Sequence, residues 1–362
     1  MELLGVIENL QYRKVIETPL KEFIFPNFSD IDINSLPPAC VVRHKDVSFA
    51  LCWWRSPKRS RSYPYARVYD TLFKGTTKSV AVIPLVKDEG IGGDRDYLQW
   101  DTVSLMSLLN VYVIPAYYCK ARRKSNRKIE DQKFDTDHVR RKLEELRNYQ
   151  ASALHWNIKE LSKENLSNLI DRVLECYKKI AIQTGVELHS ETGLLKFKAK
   201  IEEGIQEFIS FSRDKAKDAQ RRERTTIQPK EQIILGMKAS ITIKNYLGGL
   251  YFLTVDGVEW DKDIIYLIES KHSSKSIVPK EGDIKDGLIK MILLTNISRL
   301  YLNGKQVKFK PVLKLTSDRL SKNQANVNSL LPKLRKRARN FFEKLIEEAR
   351  LNNFDIRLEG SL

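Results

Sequence analysis

The chain predicts a mixed α/β protein with sheet-forming regions at both ends and helices between them. Three observations lead there. Short β-branched and aromatic runs bounded by turn residues fill the first and last thirds, helical periodicity fills the middle, and 42% of the 362 residues are hydrophobic, enough for packed cores. The pattern divides the chain into an N-terminal α/β domain over 1–120, a charged linker and helical connector over 121–225, and a C-terminal mixed-sheet domain over 226–362.

In the first region VSFALCWW (47–54), YARVYDTLF (65–73) and SVAVIPLV (79–86) read as successive strands. A helix is expected over Asp96–Leu109, with Leu98, Thr102, Leu105, Met106 and Leu109 on one side, and VYVIPAYY (111–118) reads as the next strand. Lys120, Arg122, Arg123, Lys124, Arg127 and Lys128 then crowd into nine residues, the composition of a solvated linker. Three helices with charged outer faces are expected from TDHVRRKLEELRNYQ, ELSKENLSNLIDRVLECYKKI and LKFKAKIEEGIQEFISFSRDKAKDAQRR.

The most informative stretch is YFLTVDGVEWDKDIIYLIESK, from Tyr251 to Lys271. It reads as two apolar strands joined by a tight charged turn. With the turn centred on Asp261-Lys262, Asp256 lies opposite Leu267, and the period of two places Leu267, Glu269 and Lys271 on the face that carries Asp256. Charges ending a strand as apolar as Ile264–Ile268 cost several kcal/mol unless they are paired or bind a metal. Two carboxylates make a hard-ligand site of the kind Mg²⁺ accepts when phosphate and water complete its shell, and a neighbouring lysine can hold an attacking water. The plainer alternative is a hairpin with a solvated Glu-Lys end and a bulge at Asp256-Gly257. Tripeptides of the same kind recur at Asp131-Gln132-Lys133 and Asp283-Ile284-Lys285, so context carries the argument. That context includes a helix over Asp283–Ile297, with Ile284, Leu288, Met291, Ile292 and Thr295 on its buried stripe and Asp283 as its cap.

Beyond that helix, Asn303-Gly304 between alternating residues signals a hairpin, with Lys305, Lys308, Lys310 and Lys314 on outward positions. A last helix is expected from near Pro332, lined by Leu334, Ala338, Phe341, Leu345 and Ala349 and cationic in its first half.

In this order an acid on one strand, Glu269-Ser270-Lys271 on the next, and a helix across the sheet, the segment 230–315 resembles the PD-(D/E)XK nucleases, above all the type II restriction endonucleases. It departs from their signature in having Val255, not proline, before the first acid. The resemblance implies a restriction-endonuclease-like core in the C-terminal domain, with Asp256 and Glu269 as Mg²⁺ ligands, the Ile268 or Ser270 carbonyl as a further ligand, and Lys271 acting on the water. It implies cleavage of double-stranded DNA at a specific sequence by a homodimer, beside a cognate DNA methyltransferase. The leading helix of such cores often carries another carboxylate, for which Glu203 and Glu207 are candidates, although surface pairing with lysines explains them as well. A repair or junction-resolving nuclease of the same fold and a non-catalytic DNA-binding protein are the alternatives. The order of elements in 47–118 also allows a second, degenerate nuclease-like core, with Asp70 where the first acid would stand and Lys87 near the lysine. An unrelated α/β domain explains it equally well.

Sixty-three Lys plus Arg against 46 Asp plus Glu give a net charge of +17, which favours a polyanionic partner. In 53–70, Arg55, Lys58, Arg59, Arg61 and Arg67 interleave with Trp53, Trp54, Tyr63 and Tyr65, a composition suited to reading DNA, as is a backbone contact by Lys308 and Lys310. The same loop could equally be a basic surface over core aromatics. Lys87–Asp101 concentrates acids and glycines, and helix capping by Asp94 or Asp96 explains it better than metal binding. His155 and His189 read as ordinary surface or helix residues, and His272 turns to the face away from Lys271. Cys40, Cys52, Cys119 and Cys176 lack zinc spacing and suit a reduced compartment. Without an apolar run long enough to span a membrane or a secretory start, a cytoplasmic location is expected.

Overall fold

The computed structural model describes residues 2–58, 64–203, 239–245, 250–320 and 327–360. Mixed α/β architecture is what it shows, in two compact units. A split unit joins Met1–Pro19 to Glu223–Leu362, and an inserted unit comprises Leu20–Arg222.

The strands of the first half are β1 (Glu2–Ile7), β2 (Glu22–Ile24), β3 (Ala39–His44), β4 (Val47–Trp53), β5 (Lys78–Pro84), β6 (Val86–Asp88), β7 (Arg95–Tyr97), β8 (Val111–Ala116), β9 (Tyr118–Ser125) and β10 (Lys128–Phe134). Their helices are α1 (Pro64–Thr71), α2 (Trp100–Leu108), α3 (Thr136–Asn148), α4 (Ala153–Glu160), α5 (Lys163–Thr184) and α6 (Thr192–Glu203). The second half contains β11 (Ala239–Asn245), β12 (Leu250–Val255), β13 (Gly257–Asp261), β14 (Ile264–Ser273), α7 (Glu281–Thr295), β15 (Arg299–Leu302), β16 (Lys305–Ser317), α8 (Val327–Leu330), α9 (Lys336–Leu351) and β17 (Asp355–Gly360).

The boundaries differ from the expected 1–120, 121–225 and 226–362. The first nineteen residues leave the N-terminal domain because β1 runs parallel to β11 and antiparallel to β15. The segment after it is fastened to α9. Buried Glu348 accepts from Tyr12 Oη at 2.7 Å and from the Val15 and Ile16 backbone nitrogens, both at 2.8 Å. The connector helices are no separate layer either, since α4 packs on β8 and α5 on β9.

In the split unit the strand order is β12-β11-β1-β15-β16-β14-β13, with β17 beside β16. β14 runs parallel to β16 from Ile264↔Lys308 to Ser273↔Ser317 and antiparallel to β13. The ladder Asp261↔Ile264 puts the hairpin turn on Lys262-Asp263, one residue later than expected. Asp256 stands just outside this ladder: its N–H donates to Ile268 O, the partner residue of Gly257, so Asp256 and Gly257 both oppose Ile268 as at a bulge, and Leu267 pairs with Val258 instead. Its side chain still reaches β14, where Ser270 N–H donates to it.

Helix α7 begins two residues before the expected start, and Asp283 sits inside its first turn with Glu281, where acids complement the dipole, instead of capping it. Ile284, Leu288, Met291 and Ile292 are fully buried, and Thr295 is half-buried. Ile289, Leu293 and Leu294 are buried as well, so apolar packing covers this helix on all sides. Asn303 and Gly304 take φ of 49° and 78°, the left-handed pair of a type I′ hairpin, joining β15 to β16 as expected. The last helix starts at Lys336, after a 3₁₀ turn over Leu331–Lys333.

The inserted unit has the sheet order β2-β3-β4-β5-β8. Residues 65–73, expected as a strand, lie mostly in α1: Tyr65, Val68, Tyr69 and Leu72 are buried at helical spacing, and Pro64 opens the helix. The helix expected from Asp96 starts at Trp100, because Arg95–Tyr97 pair with β6. The basic run is no linker either. It forms most of an antiparallel ribbon, β9 with β10, and its cations are exposed.

One pattern occurs in both units. An antiparallel hairpin is followed by two strands added in parallel, with helices between: β13, β14, β16 and β17 in one, β3, β4, β5 and β8 in the other. Both hairpins turn on Lys-Asp, Lys45-Asp46 and Lys262-Asp263, and each lysine has φ 51°, a conformation uncommon for a non-glycine residue. The sequence-level repeat placed Asp70 on a strand and Lys87 at a lysine site. Asp70 lies on α1, and Lys87 pairs with Glu89 at 2.8 Å.

No helix among the described residues is long and apolar enough to cross a membrane. The four cysteines form no disulfide.

Candidate active site

Asp256, Glu269 and Lys271 come together at the point where the chain changes partners. β12 pairs with β11 up to Val255, and β13 pairs with β14 from Gly257, leaving Asp256 at the break. There its backbone N–H donates to Ile268 O at 2.9 Å, while Ser270 N–H donates to Asp256 Oδ2 at 2.9 Å. Among the described residues, β14 beyond that contact is laddered only to β16, which leaves its opposite edge without a strand partner from Ser270 onward. N–H and C=O of one strand residue lie on the same edge, and the Ser270 carbonyl shares the edge that faces Asp256. Ile268 O is already engaged by Asp256, which favours Ser270 as the carbonyl of the site.

Glu269 is 0% exposed and lies between two lysines. Lys271 Nζ is 3.0 Å from its Oε1, and Lys290 Nζ is 2.5 Å from its Oε2. Lys290 projects from α7, itself buried, and also donates to Thr254 O at 3.0 Å. Lys271 reaches a second carboxylate on the same helix, Asp286 Oδ2, at 2.8 Å. The cluster is thus Asp256, Glu269 and Asp286 with Lys271 and Lys290. Burial, and next the negative field of Glu269, raise the Asp256 pKa above the usual aspartate value.

Gly287 makes this geometry possible. A Cβ there would stand 3.1 Å from Lys271 Cε and 3.0 Å from Leu313 Cδ1, so the lysine stem crosses α7 where no side chain intervenes. Asp286, Gly287 and Lys290 were not foreseen from sequence. A signal was present, because from Gly287 to Leu294 the helix is apolar apart from Lys290 and offers it no solvated face, so a charge at that position needs a buried partner.

The donor set suits a hard divalent ion. Asp256 beside the end of the β13–β14 ladder and Glu269 on β14 bring two carboxylates together, the ionisation of Asp256 being disfavoured by burial and by Glu269, with the Ser270 carbonyl on the same edge of β14. Among the described residues no three His, Cys, Asp or Glu side chains form a metal-binding group, so such an ion would keep waters in its shell.

The residues expected to contact DNA divide. Arg55 is exposed, and its carbonyl accepts from Tyr118 Oη at 3.0 Å. Lys58 is an ion-pair partner of buried Asp96, at 2.6 Å, which also accepts from Ser56 Oγ. Asp96 is therefore no helix cap. Arg67 braces the strand end from α1, donating to Trp53 O at 2.7 Å, and burial lowers its pKa. Trp54 and Tyr65 belong to the core. Arg59, Arg61 and Tyr63 lie outside the described residues, as does Glu207. Lys308 is exposed, but Lys310 is tied to Asn353 at 2.5 Å, and Lys314 is buried against Glu359. Glu203 pairs with Lys200 at 2.7 Å, the surface role expected.

His272 Nδ1 lies 2.9 Å from Thr316 Oγ1, on the face away from Lys271. His155 lies beside Ser152, and His189 has a partner that the sequence did not indicate, Asp88, at 2.8 Å.

No family model, curated protein or solved structure matches this chain.

Proposed function

We propose that the chain is a Mg²⁺-dependent endodeoxyribonuclease with a restriction-endonuclease-like core in its split unit, cutting double-stranded DNA at a specific sequence. The observation that carries this reading is the convergence of Asp256, Glu269 and Lys271 at the open edge of β14. Asp256, Glu269 and the Ser270 carbonyl would hold the ion, which when bound supplies Lewis-acid polarisation of the scissile phosphate and a more acidic water.

The chain's own groups do the rest. Lys290 pairs with Glu269 at 2.5 Å, so the buried carboxylate has a cationic partner. Asp286 and Glu269 aim the Lys271 ammonium from both sides, and that ammonium orients the attacking water and offsets charge growing on the phosphoryl oxygens. Water attacks phosphorus as the bond to the 3′ oxygen breaks, leaving a 5′ phosphate and a 3′ hydroxyl. Cutting both strands at one site calls for two such centres, hence a homodimer on a palindromic target, with a cognate methyltransferase protecting host DNA. Lys271→Ala is expected to abolish cleavage and spare DNA binding. Near wild-type cutting by that variant removes Lys271 from the mechanism.

A second reading has one observation in its favour. Glu269 is already paired with two lysines, as in a cluster that only braces β14 against α7. On that reading the chain binds DNA without hydrolysis at any Mg²⁺ concentration. A repair or junction-resolving relative would instead cut only branched DNA, which a plasmid and a four-way junction distinguish.

A further inference from the structure

We propose that the inserted unit is a second copy of the same core that has lost its ligands and binds duplex DNA without cutting it, along a cationic cleft beside the end of β4. This extends the DNA reading above and rests on it only for the identity of the polyanion.

Counting from the two Lys-Asp turns, Ala39, Cys52 and Trp54 stand where Asp256, Glu269 and Lys271 stand in the split unit. The faces agree. Cys52 bonds Thr71 of α1 and the Trp54 ring packs on Tyr65 of α1 at 5.9 Å, as Glu269 and Lys271 reach α7. Alanine, a buried thiol and an indole offer no hard ligand for Mg²⁺. This copy has no means of hydrolysis.

What surrounds the strand end is basic. Trp53, Arg55 and Lys87 form one wall of a cleft of about 600 Å³, and the ribbon of β9 and β10 forms the other. Its cations are Arg55, Lys87, Arg122, Lys124, Lys128 and Lys133, against Glu89, Glu130 and Asp131. Lys87, Arg122 and Lys133 are neutralised by those acids at 2.8, 2.9 and 3.0 Å. Lys124 shares Glu130 with Arg122, at 3.7 Å, so six cations against three acids leave the cleft with a net positive charge, and Arg55, Lys124 and Lys128 are exposed.

A two-stranded ribbon of this kind fits the major groove, and its lysines and arginines suit phosphates on either side. The aromatic floor argues for a duplex over a single strand. Tyr118 and Phe134 stack on each other at 4.6 Å and are 2% and 3% exposed, and the half-buried Trp53 ring is edge-on to Phe134 and covered by the Arg67 guanidinium at 5.5 Å, so none of the three presents a free ring face on which an unpaired base can stack.

The test compares the full chain with Arg55→Ala/Lys124→Ala/Lys128→Ala and with Lys344→Ala, an exposed lysine of α9 outside the cleft and the candidate site, using fluorescence anisotropy on a labelled 24-base-pair duplex and its single strand, with EDTA, across a salt series. Circular dichroism confirms that the triple variant, altered only at exposed positions, folds. The expected result is a duplex affinity at least ~10-fold weaker in the triple variant and a salt slope shallower by about 2–3, with Lys344→Ala unchanged. Equal duplex affinity and slope in the triple variant and parent, tighter binding of the single strand, or no duplex binding by the parent each overturns the proposal. Binding by the parent with no cutting in Mg²⁺ overturns the nuclease reading alone and leaves this one standing.

Discussion

Lys290→Met isolates the buried charge pair that underlies the site. Glu269 and the Lys290 side chain are 0% and 4% exposed and 2.5 Å apart, so neither charge can recover solvation when the other is removed. Truncating one member of such a pair costs ~3–5 kcal/mol, a large part of the ~5–15 kcal/mol typical of a folded protein. The urea midpoint should fall accordingly, and Glu269→Gln/Lys290→Met should recover most of the loss, since Lys271 keeps Asp286 as its partner and no buried charge is left unpaired. If Asp256 and Glu269 also hold a divalent ion, that ion replaces the missing positive charge. Mg²⁺ at ~100 times its dissociation constant should then return about 2.7 kcal/mol to the single variant. A loss below ~1 kcal/mol, or a double variant no more stable than Lys290→Met alone, would refute the claim that Glu269 and Lys290 are coupled as a buried pair.

Other perturbations test neighbouring parts of the account. The raised pKa of Asp256 means that its ionisation is disfavoured in the folded chain. That cost is absent below the usual value of 3.8 and complete above the folded pKa. Asp256→Asn should therefore be the more stable protein at pH 7 without metal, with the advantage fading as pH falls to 3.8, and urea midpoints showing a less stable variant at pH 7 would contradict this. Gly287→Ala gains ~1 kcal/mol of helix propensity but pushes on Lys271 Cε, so thermal melting should change little while single-turnover cutting falls about 10-fold; undiminished cutting would show that the lysine stem is not held there. Glu348→Ala leaves three donors from Tyr12, Val15 and Ile16 without their carboxylate, a loss of ~1–3 kcal/mol, and residues 8–19 should become sensitive to limited proteolysis.

The meeting of Asp256, Glu269 and Lys271 was legible, but its register was not. The turn falls on Lys262-Asp263 instead of Asp261-Lys262, so Leu267 pairs with Val258, and Asp256 lies just outside the ladder with its N–H on Ile268 O. The second tier of the site was not legible. Asp286, Gly287 and Lys290 act through a helix whose approach to β14 is a tertiary fact, and only the apolar surroundings of Lys290 hinted at it. In the inserted unit, YARVYDTLF satisfies a strand by composition, but Tyr65, Val68, Tyr69 and Leu72 already follow a helical stripe and Pro64 marks its start. The basic run misled for a different reason. Charge density is read as solvated linker, yet a ribbon resting on α5 by one face can leave every other side chain exposed. Arg67 and Lys58 show the converse, cations in a basic loop that serve the carbonyl of Trp53 and the carboxylate of Asp96.

Supercoiled plasmid incubated with the wild-type chain, in Mg²⁺ and in EDTA, with the product ends mapped, addresses the hydrolytic centre most directly. The account predicts discrete linear fragments bearing 5′ phosphates in Mg²⁺ and intact plasmid in EDTA. Plasmid that is bound yet stays uncut at every Mg²⁺ concentration would contradict it.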